Sequence, residues 1–381
     1  MDRAPAEVVL LTGSNGFLGQ HVLKHLLEDD GVSEIRALDK NFPCNNNEAE
    51  SNYKDEKKKI RPYHCDLINL ESCREAFKGA DVVLHCAGLV SYDYPPDVVE
   101  LRKNNVDGGY PTENVIKLCV EENVGRLVHC STTEVTLQSC FKGGIVAVSI
   151  FKHESKLEVP ENEGRLIFGE YAASKLRAEK IVIRANGTSL QNGKDTLLTV
   201  ALRPTLLYGE GDSHILPEML KIAKSRGDYL LRVTGPGGKQ QMTYVGNAAW
   251  AFLRAKDTLL KSPNVIAGLP VTVTDDTLVE DLIMFCERVT RGSSNHVTVS
   301  SWPIPLGLSY LGAILAELLS DFGLISKFKV PPRSIVAFLG SVILYNRARA
   351  SIRMNYWPKY THEQTLAAAS KYYGELASRK Q

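Results

Sequence analysis

Short apolar runs alternate with amphipathic stretches along the first two thirds of the chain. "EVVLLTG" has the near-continuous apolar character of a strand covered on both faces. The "GFLGQHVLKHLLED" that follows spaces its apolar residues helically, so Phe17, Leu18, Val22, Leu23, Leu26 and Leu27 share one face. "EIRALD", "PYHCDL", "DVVLHCAG", "RLVHCST" and "LLTVALRP" continue the strand series, with helical patterns between most of them. This alternation predicts an α/β fold, a doubly wound parallel sheet with helices on both faces. The polar stretch from Asn41 to Lys59 is too charged for a core and reads as a surface insertion. Pro111 lies early in "VDGGYPTENVIKLCVEE", and a proline suits only the first turn, so the regular helix is expected to start near it.

The pattern changes after Gly209. "EGDSHILPEMLKIAKS" reads as a helix, and "QQMTYVGNAAWAFLRAK" as a strand running into another. Beyond Pro263 the strand pattern fades. Two units are predicted: residues 1–209 with the sheet, and 210–381 as a smaller, mostly helical lobe interleaved with it. Two apolar stretches in the lobe, Trp302–Ala316 and Ser334–Tyr345, flank a basic region with Lys327, Lys329 and Arg333.

Composition narrows the partners. The 45 basic and 44 acidic side chains nearly cancel, which argues against nucleic-acid binding. The eight cysteines are scattered without a CxxC pair, which fits a reducing compartment and suggests no metal site. "MDRAPAEVVLLTG" enters a strand pattern at once, so no signal peptide is expected, and the "NGT" at Asn186 is a chance sequon.

Three groupings suggest chemistry. "LLTGSNGFLGQ" sets Gly13, Gly16 and Gly19 between a strand and a helix, where lack of a Cβ lets a pyrophosphate approach the helix N-terminus. A glycine-rich turn that binds nothing is the alternative. Asp39 ends the next strand, twenty residues after Gly19, where a carboxylate reaches the adenosine ribose hydroxyls. Its charge would repel a 2′-phosphate and so favours NAD over NADP, although Lys40 or Arg36 would offset that repulsion. Next, "GEYAASKLRAEK" places Tyr171 and Lys175 four apart, on one helix face. Alone, the pair fits a solvated surface as well as a proton-transfer device. Lowering a phenol from ~10 to neutrality requires about 4 kcal/mol, part of which a lysine ammonium supplies. Finally, Ser131, Thr132 and Thr133 close a strand upstream, where a hydroxyl could bond a reacting oxygen or simply serve a turn.

In order, "TGSNGFLG", "CDL", "NNVDG", "STTEV", "YAASK" and "ALRPTLLYGEGD" resemble the motifs of extended short-chain dehydrogenases/reductases. "LDK", "HCAGLV", "YVGNAAWA", "VTDDT" and the late "YNRARASIRMNYWPKYTHEQTLAAA" look more narrowly like the 3β-hydroxysteroid dehydrogenase/Δ5-4 isomerases. The resemblance spans nearly the whole chain. It implies an NAD-binding Rossmann unit and a substrate-binding lobe, oxidation of a 3β-hydroxy-5-ene steroid, and a following Δ5 to Δ4 isomerisation. In that reading Tyr171 is the general base and Lys175 holds the nicotinamide ribose. Thr132, rather than Ser131, takes the catalytic hydroxyl position, and Asn105 is the structural and proton-relay asparagine. Gly13, Gly16, Phe17, Leu18 and Gly19 are implied at the pyrophosphate turn. Asp66 and Leu67 fall at the adenine edge, Ala87 beside the cofactor and Pro204 near the nicotinamide.

Other activities on this fold remain open: a 4-carboxysterol 3-dehydrogenase, a sugar-nucleotide epimerase or a non-catalytic dinucleotide sensor. The apolar lobe favours a lipophilic substrate over a nucleotide sugar, and presence of the Tyr–Lys pair disfavours the sensor. For isomerisation the resemblance implies an acidic residue in "VTDDT", with Asp276 the candidate base. Thr272 falls where relatives carry a tyrosine, so a less efficient step is expected. Trp302–Ala316 would make a helix about 22 Å long, short of the ~30 Å hydrocarbon core. Monotopic attachment, with Lys327, Lys329 and Arg333 at headgroups, is therefore set beside a buried lobe helix. The resemblance implies the endoplasmic reticulum membrane with the active domain facing the cytosol, or a mitochondrial membrane, and leaves room for a homodimer.

Overall fold

The computed structural model describes residues 7–41, 59–105, 111–138, 148–152, 154, 159–235 and 237–378, with the side chains of 59, 102–105 and 148–152 outside the description. Seven parallel strands form the central sheet: β1 (Glu7–Thr12), β2 (Val32–Asp39), β3 (Lys59–His64), β4 (Val82–His85), β5 (Arg126–Cys130), β6 (Leu198–Pro204) and β7 (Leu269–Val273). Their order is β7-β6-β5-β4-β1-β2-β3, so the order reverses between β1 and β4. Ligands bind outside the carboxyl ends of strands at such a reversal. The helices are α1 (Phe17–Glu28), α2 (Leu70–Phe77), α3 (Val98–Asn105), α4 (Pro111–Glu121), α5 (Gly169–Arg184) and α6 (Ile215–Ser225). They continue as α7 (Val245–Lys261), α8 (Leu282–Thr290), α9 (Leu306–Asp321), α10 (Pro332–Leu339), α11 (Ala348–Met354) and α12 (His362–Ser378).

The periodicity behind α1 is realised: Leu18, Val22, Leu23 and Leu26 are buried, and the helix packs against α7. Pro111 begins α4, as its missing N–H requires. Most of the polar stretch after Asn41 lies outside the described residues.

One expectation for the second half needs correction. The sheet does not end at Pro263, because β7 joins β6 at its edge in parallel. β7 is five residues long and contains Pro270, which an edge strand accommodates but which weakens its pattern. The segment after Gly209 thus returns to the sheet core through α7 and β7. The apolar stretch Ser334–Tyr345 divides between α10 and a strand, Val342–Tyr345, with Phe338, Leu339, Ile343 and Tyr345 buried. Trp302–Ala316 divides between the end of a strand, Thr298–Pro303, and α9. The Glu317 carboxylate turns inward to Arg333, and α9 runs on past it to Asp321.

Candidate active site

The turn between β1 and α1 is shaped by what its glycines omit. Gly13 adopts φ +70°, and a Cβ there would stand 2.6 Å from the Ala87 amide nitrogen. A Cβ on Gly19 would collide with the Gly13 carbonyl, so α1 meets the turn backbone against backbone. No side chain caps the N-terminus of α1, which leaves its N–H groups and positive dipole end for an anion. Beside it lies a cavity of about 230 Å³ lined by Gly13, Gly16, Asp39, Asp66, Leu67 and Ala87, among others. Asp39 is held at its rim by the amides of Asn15 and Asn41, each 2.9 Å away. The Asp66 carboxylate accepts from the Ile68 amide at 3.0 Å and closes the adenine-side turn.

The residues fit NAD. Arg36 does not stand ready for a 2′-phosphate, because its guanidinium bonds Glu34 and the carbonyls of Ala76 and Lys78. Lys40 does line the cavity. Five residues assigned to cofactor contact lie outside that lining: Gly19, Lys175, Phe17, Leu18 and Pro204. Phe17 packs edge-on against His21 and His214, Leu18 is in the core, and Pro204 ends β6 beside Val273.

Tyr171 and Lys175 sit one turn apart on α5, and both are buried. The Lys175 ammonium donates to the Cys130 carbonyl at 2.7 Å, which ties α5 to the end of β5. Ser131 is committed elsewhere: its hydroxyl donates to Glu179 at 2.6 Å, and Glu179 also receives the Arg203 guanidinium at 2.8 Å. Thr132 instead caps the short 3₁₀ turn Thr133–Thr136, its hydroxyl accepting from the Glu134 amide at 3.3 Å. Its O–H proton is not used in that bond, so of the two hydroxyls Thr132 is the one with a donor to offer. Asn105 closes α3, and its side chain lies outside the described residues.

The electrostatics around Tyr171 run against the expectation from its lysine. Burial pushes the phenol well above its ordinary pKa, and the nearby Glu134 and Cys130 push it further. The buried amine donates to the Cys130 carbonyl, and His85 and His129 nearby are held low by burial first and by this amine second. Base action at neutral pH then needs a further cation, which an oxidised nicotinamide would supply if bound.

Two residues at this site were not singled out in the sequence. Tyr92 meets Tyr171 edge-on with ring centroids 4.7 Å apart, and its hydroxyl donates to Glu134 at 2.9 Å. Glu134 is buried, and desolvation lifts its carboxyl to about 7. The signal available for Glu134 was its place in "CSTTEV", an acid directly after a strand-end hydroxyl run. Nothing local marks Tyr92, which reaches the site from the loop after β4.

Tyr92 and Tyr171 open onto a second cavity of about 1220 Å³, walled by the start of α5, the loop after β4, α9 and α10. Asp276 lies outside the linings of both cavities. It is exposed and ion-paired to Arg347 at 2.7 Å, whereas Asp275 is buried and bonded to Tyr244, Asn247 and Thr277. The structure therefore does not bring the implied isomerase base to Tyr171. Thr272 is buried within β7.

The family model of the 3-beta hydroxysteroid dehydrogenase/isomerase family matches residues 10–306. The chain belongs to that family. Solved structures with the same fold include a UDP-glucuronic acid 4-epimerase from Bacillus cereus, crystallised with UDP-glucuronic acid and NAD. It is 17% identical, with 97% of this chain and 99% of that one covered and a TM-score of 0.64. A UDP-glucose-4-epimerase from Stenotrophomonas maltophila with bound NAD is 12% identical, with coverage of 97% and 99% and a TM-score of 0.67. Pal from Bacillus thuringiensis is 18% identical, with the same coverage and a TM-score of 0.65. The family member is thus an NAD-type oxidoreductase of the extended short-chain class, with a fold shared with sugar-nucleotide epimerases.

Proposed function

We propose that this protein is an NAD-dependent 3β-hydroxysteroid dehydrogenase that oxidises a 3β-hydroxy-5-ene steroid to the 3-ketone. The observation that carries this choice is the charge of the large cavity. Its lining holds five carboxylates (Asp93, Glu161, Glu163, Glu170, Glu317) and three guanidiniums (Arg165, Arg177, Arg333). Arg177 is paired to Glu163 and Glu170, and Arg333 to Glu317. A sugar-nucleotide diphosphate, or a sterol 4-carboxylate, would enter a wall already net acidic and without an unpaired cation at those two arginines. An uncharged lipophile meets Leu101, Leu166, Phe168 and Ala337 instead. A bound NAD would supply the hydride acceptor for the steroid C3, and in this reading Tyr171 takes the hydroxyl proton and Thr132 steadies the reacting oxygen. Δ5 to Δ4 isomerisation is the proposed second step. Incubation of purified protein and NAD with 5-ene steroids, a 4-carboxysterol and UDP-glucose tests the choice. Turnover of UDP-glucose with none of the steroids would overturn it.

The same helix suggests where the protein works. One face of α9 gives Tyr310 and Glu317 to the cavity. On the other, Leu308, Leu311, Leu315 and Leu318 are exposed, continuing into Phe322 and Leu324. No helix among the described residues is long and apolar enough to cross a membrane. We place this ridge in one leaflet of the endoplasmic reticulum membrane, with Lys327 and Lys329 at the headgroups and the active domain facing the cytosol. Recovery of the native protein wholly in a detergent-free high-speed supernatant would count against it.

A further inference from the structure

We propose that Glu134 is the terminal acceptor of the proton released in alcohol oxidation, reached from Tyr171 through the hydroxyl of Tyr92. The proposal rests on the reading of Tyr171 as the group that takes the alcohol proton. Three observations converge on it. The Tyr92 hydroxyl already donates to Glu134 Oε1 at 2.9 Å, so the last link of the path is formed. The Tyr92 ring lies edge-on to Tyr171 with ring centroids 4.7 Å apart, which brings the two phenols side by side in the same buried site. Glu134 Oε2 is buried and has no hydrogen-bond partner among the described residues. A carboxylate kept buried with one oxygen unsatisfied is expensive to maintain, and a group that must gain and lose a proton explains it.

The bookkeeping of atoms is closed. The steroid C3–H bond breaks as hydride passes to an oxidised nicotinamide, and the steroid O–H bond breaks as its proton moves to the Tyr171 oxygen. The proton originally on Tyr171 passes to Tyr92, and that on Tyr92 to Glu134 Oε1, so a carboxylate becomes a carboxylic acid. Tyr171 never has to persist as a free phenolate, which its burial opposes. Glu134 suits the acceptor role because burial sets its pKa at about 7. The titratable or charged groups facing it are Tyr92, Tyr171, Tyr345 and Lys175. Tyr92 and Tyr171 line the open cavity and Glu134 does not, so Glu134 acts through them without touching the steroid.

The test compares Glu134→Gln, Glu134→Asp and Tyr92→Phe in the full chain with NAD and a steroid alcohol. The unmodified protein should lose kcat as pH falls through about 7. Glu134→Gln and Tyr92→Phe should each lower kcat by roughly tenfold or more, leave the steroid KM within about twofold, and abolish that limb. Glu134→Asp should restore part of the rate and the limb. In the protein without steroid, infrared titration should show a carboxyl band with a midpoint near 7 that Glu134→Gln removes. Retention of kcat within twofold and of the same limb in Tyr92→Phe or Glu134→Gln would overturn the relay. If Glu134→Gln does not fold, Tyr92→Phe decides alone. A fully active Tyr171→Phe would instead sink the general-base reading, so the two failures are distinguishable.

Discussion

The cofactor turn and the large cavity recognise their ligands by different means. At the turn, backbone does much of the work: Gly13, Gly16 and Gly19 let strand, turn and helix close on one another, and Asp39 adds side-chain specificity at the rim. At the cavity, recognition rests on side chains from the loop after β4, the start of α5, and α9 and α10, which are distant in sequence. A backbone device demands particular residues at fixed spacing and tolerates little change. A side-chain wall can be rebuilt piece by piece, which allows epimerases and a predicted steroid enzyme to share one scaffold.

Substitutions can sharpen this contrast. Tyr171→Phe should have the largest effect, lowering kcat by ~10²–10⁴ while NAD affinity, read by fluorescence titration, stays near normal. Near-full turnover would break the assignment. Gly19→Ala should come next, because its Cβ meets the Gly13 carbonyl. A loss of roughly 1–3 kcal/mol in unfolding free energy is expected, together with weaker NAD binding. An Ala variant with unchanged Tm and NAD affinity would show that the turn has slack.

Glu134 offers a test of opposite sign. Its folded pKa of about 7 exceeds the unfolded value of 4.5, so the folded chain binds the extra proton between them. Stability should therefore fall as pH rises from about 4.5 to 7, by up to roughly 3 kcal/mol. In denaturant titrations, Glu134→Gln should flatten that slope and stabilise the protein at pH 8. An unchanged slope would mean the carboxyl is not held protonated. Replacing Leu311 and Leu315 with serine should shift the protein toward the supernatant after vesicle sedimentation, with turnover in detergent nearly unaltered. The smallest effect belongs to Asp276→Asn, where conversion of authentic 5-ene-3-ketone in the presence of NADH should be nearly unchanged. A loss of tenfold or more would return Asp276 to the site despite its exposure.

What could be read from the sequence follows the same division. The glycine turn, Asp39 and the Tyr171–Lys175 pair were legible because each is a local demand with its spacing set by one turn or one helix. The choice of Thr132 over Ser131 gains a physical reason only when Ser131 is seen bonded to Glu179, forty-eight positions away. Tyr92 and Glu134 escaped for the same cause, since their bond joins segments forty-two residues apart. The strand β7 was missed because an edge position lets a proline stand where an interior strand would refuse it. Asp276 was placed by likeness of motif, and its contact with Arg347 depends on how the late chain folds back.

The two faces of α9 have a consequence for how the enzyme would be measured. If the proposed placement of the leucine ridge in a leaflet holds, the relevant substrate concentration would be the mole fraction of steroid in the bilayer. Adding inert lipid at constant total steroid would then slow turnover by surface dilution. The same enzyme released from lipid would respond only to dissolved steroid. A single helix would thus decide whether the reaction samples two dimensions or three.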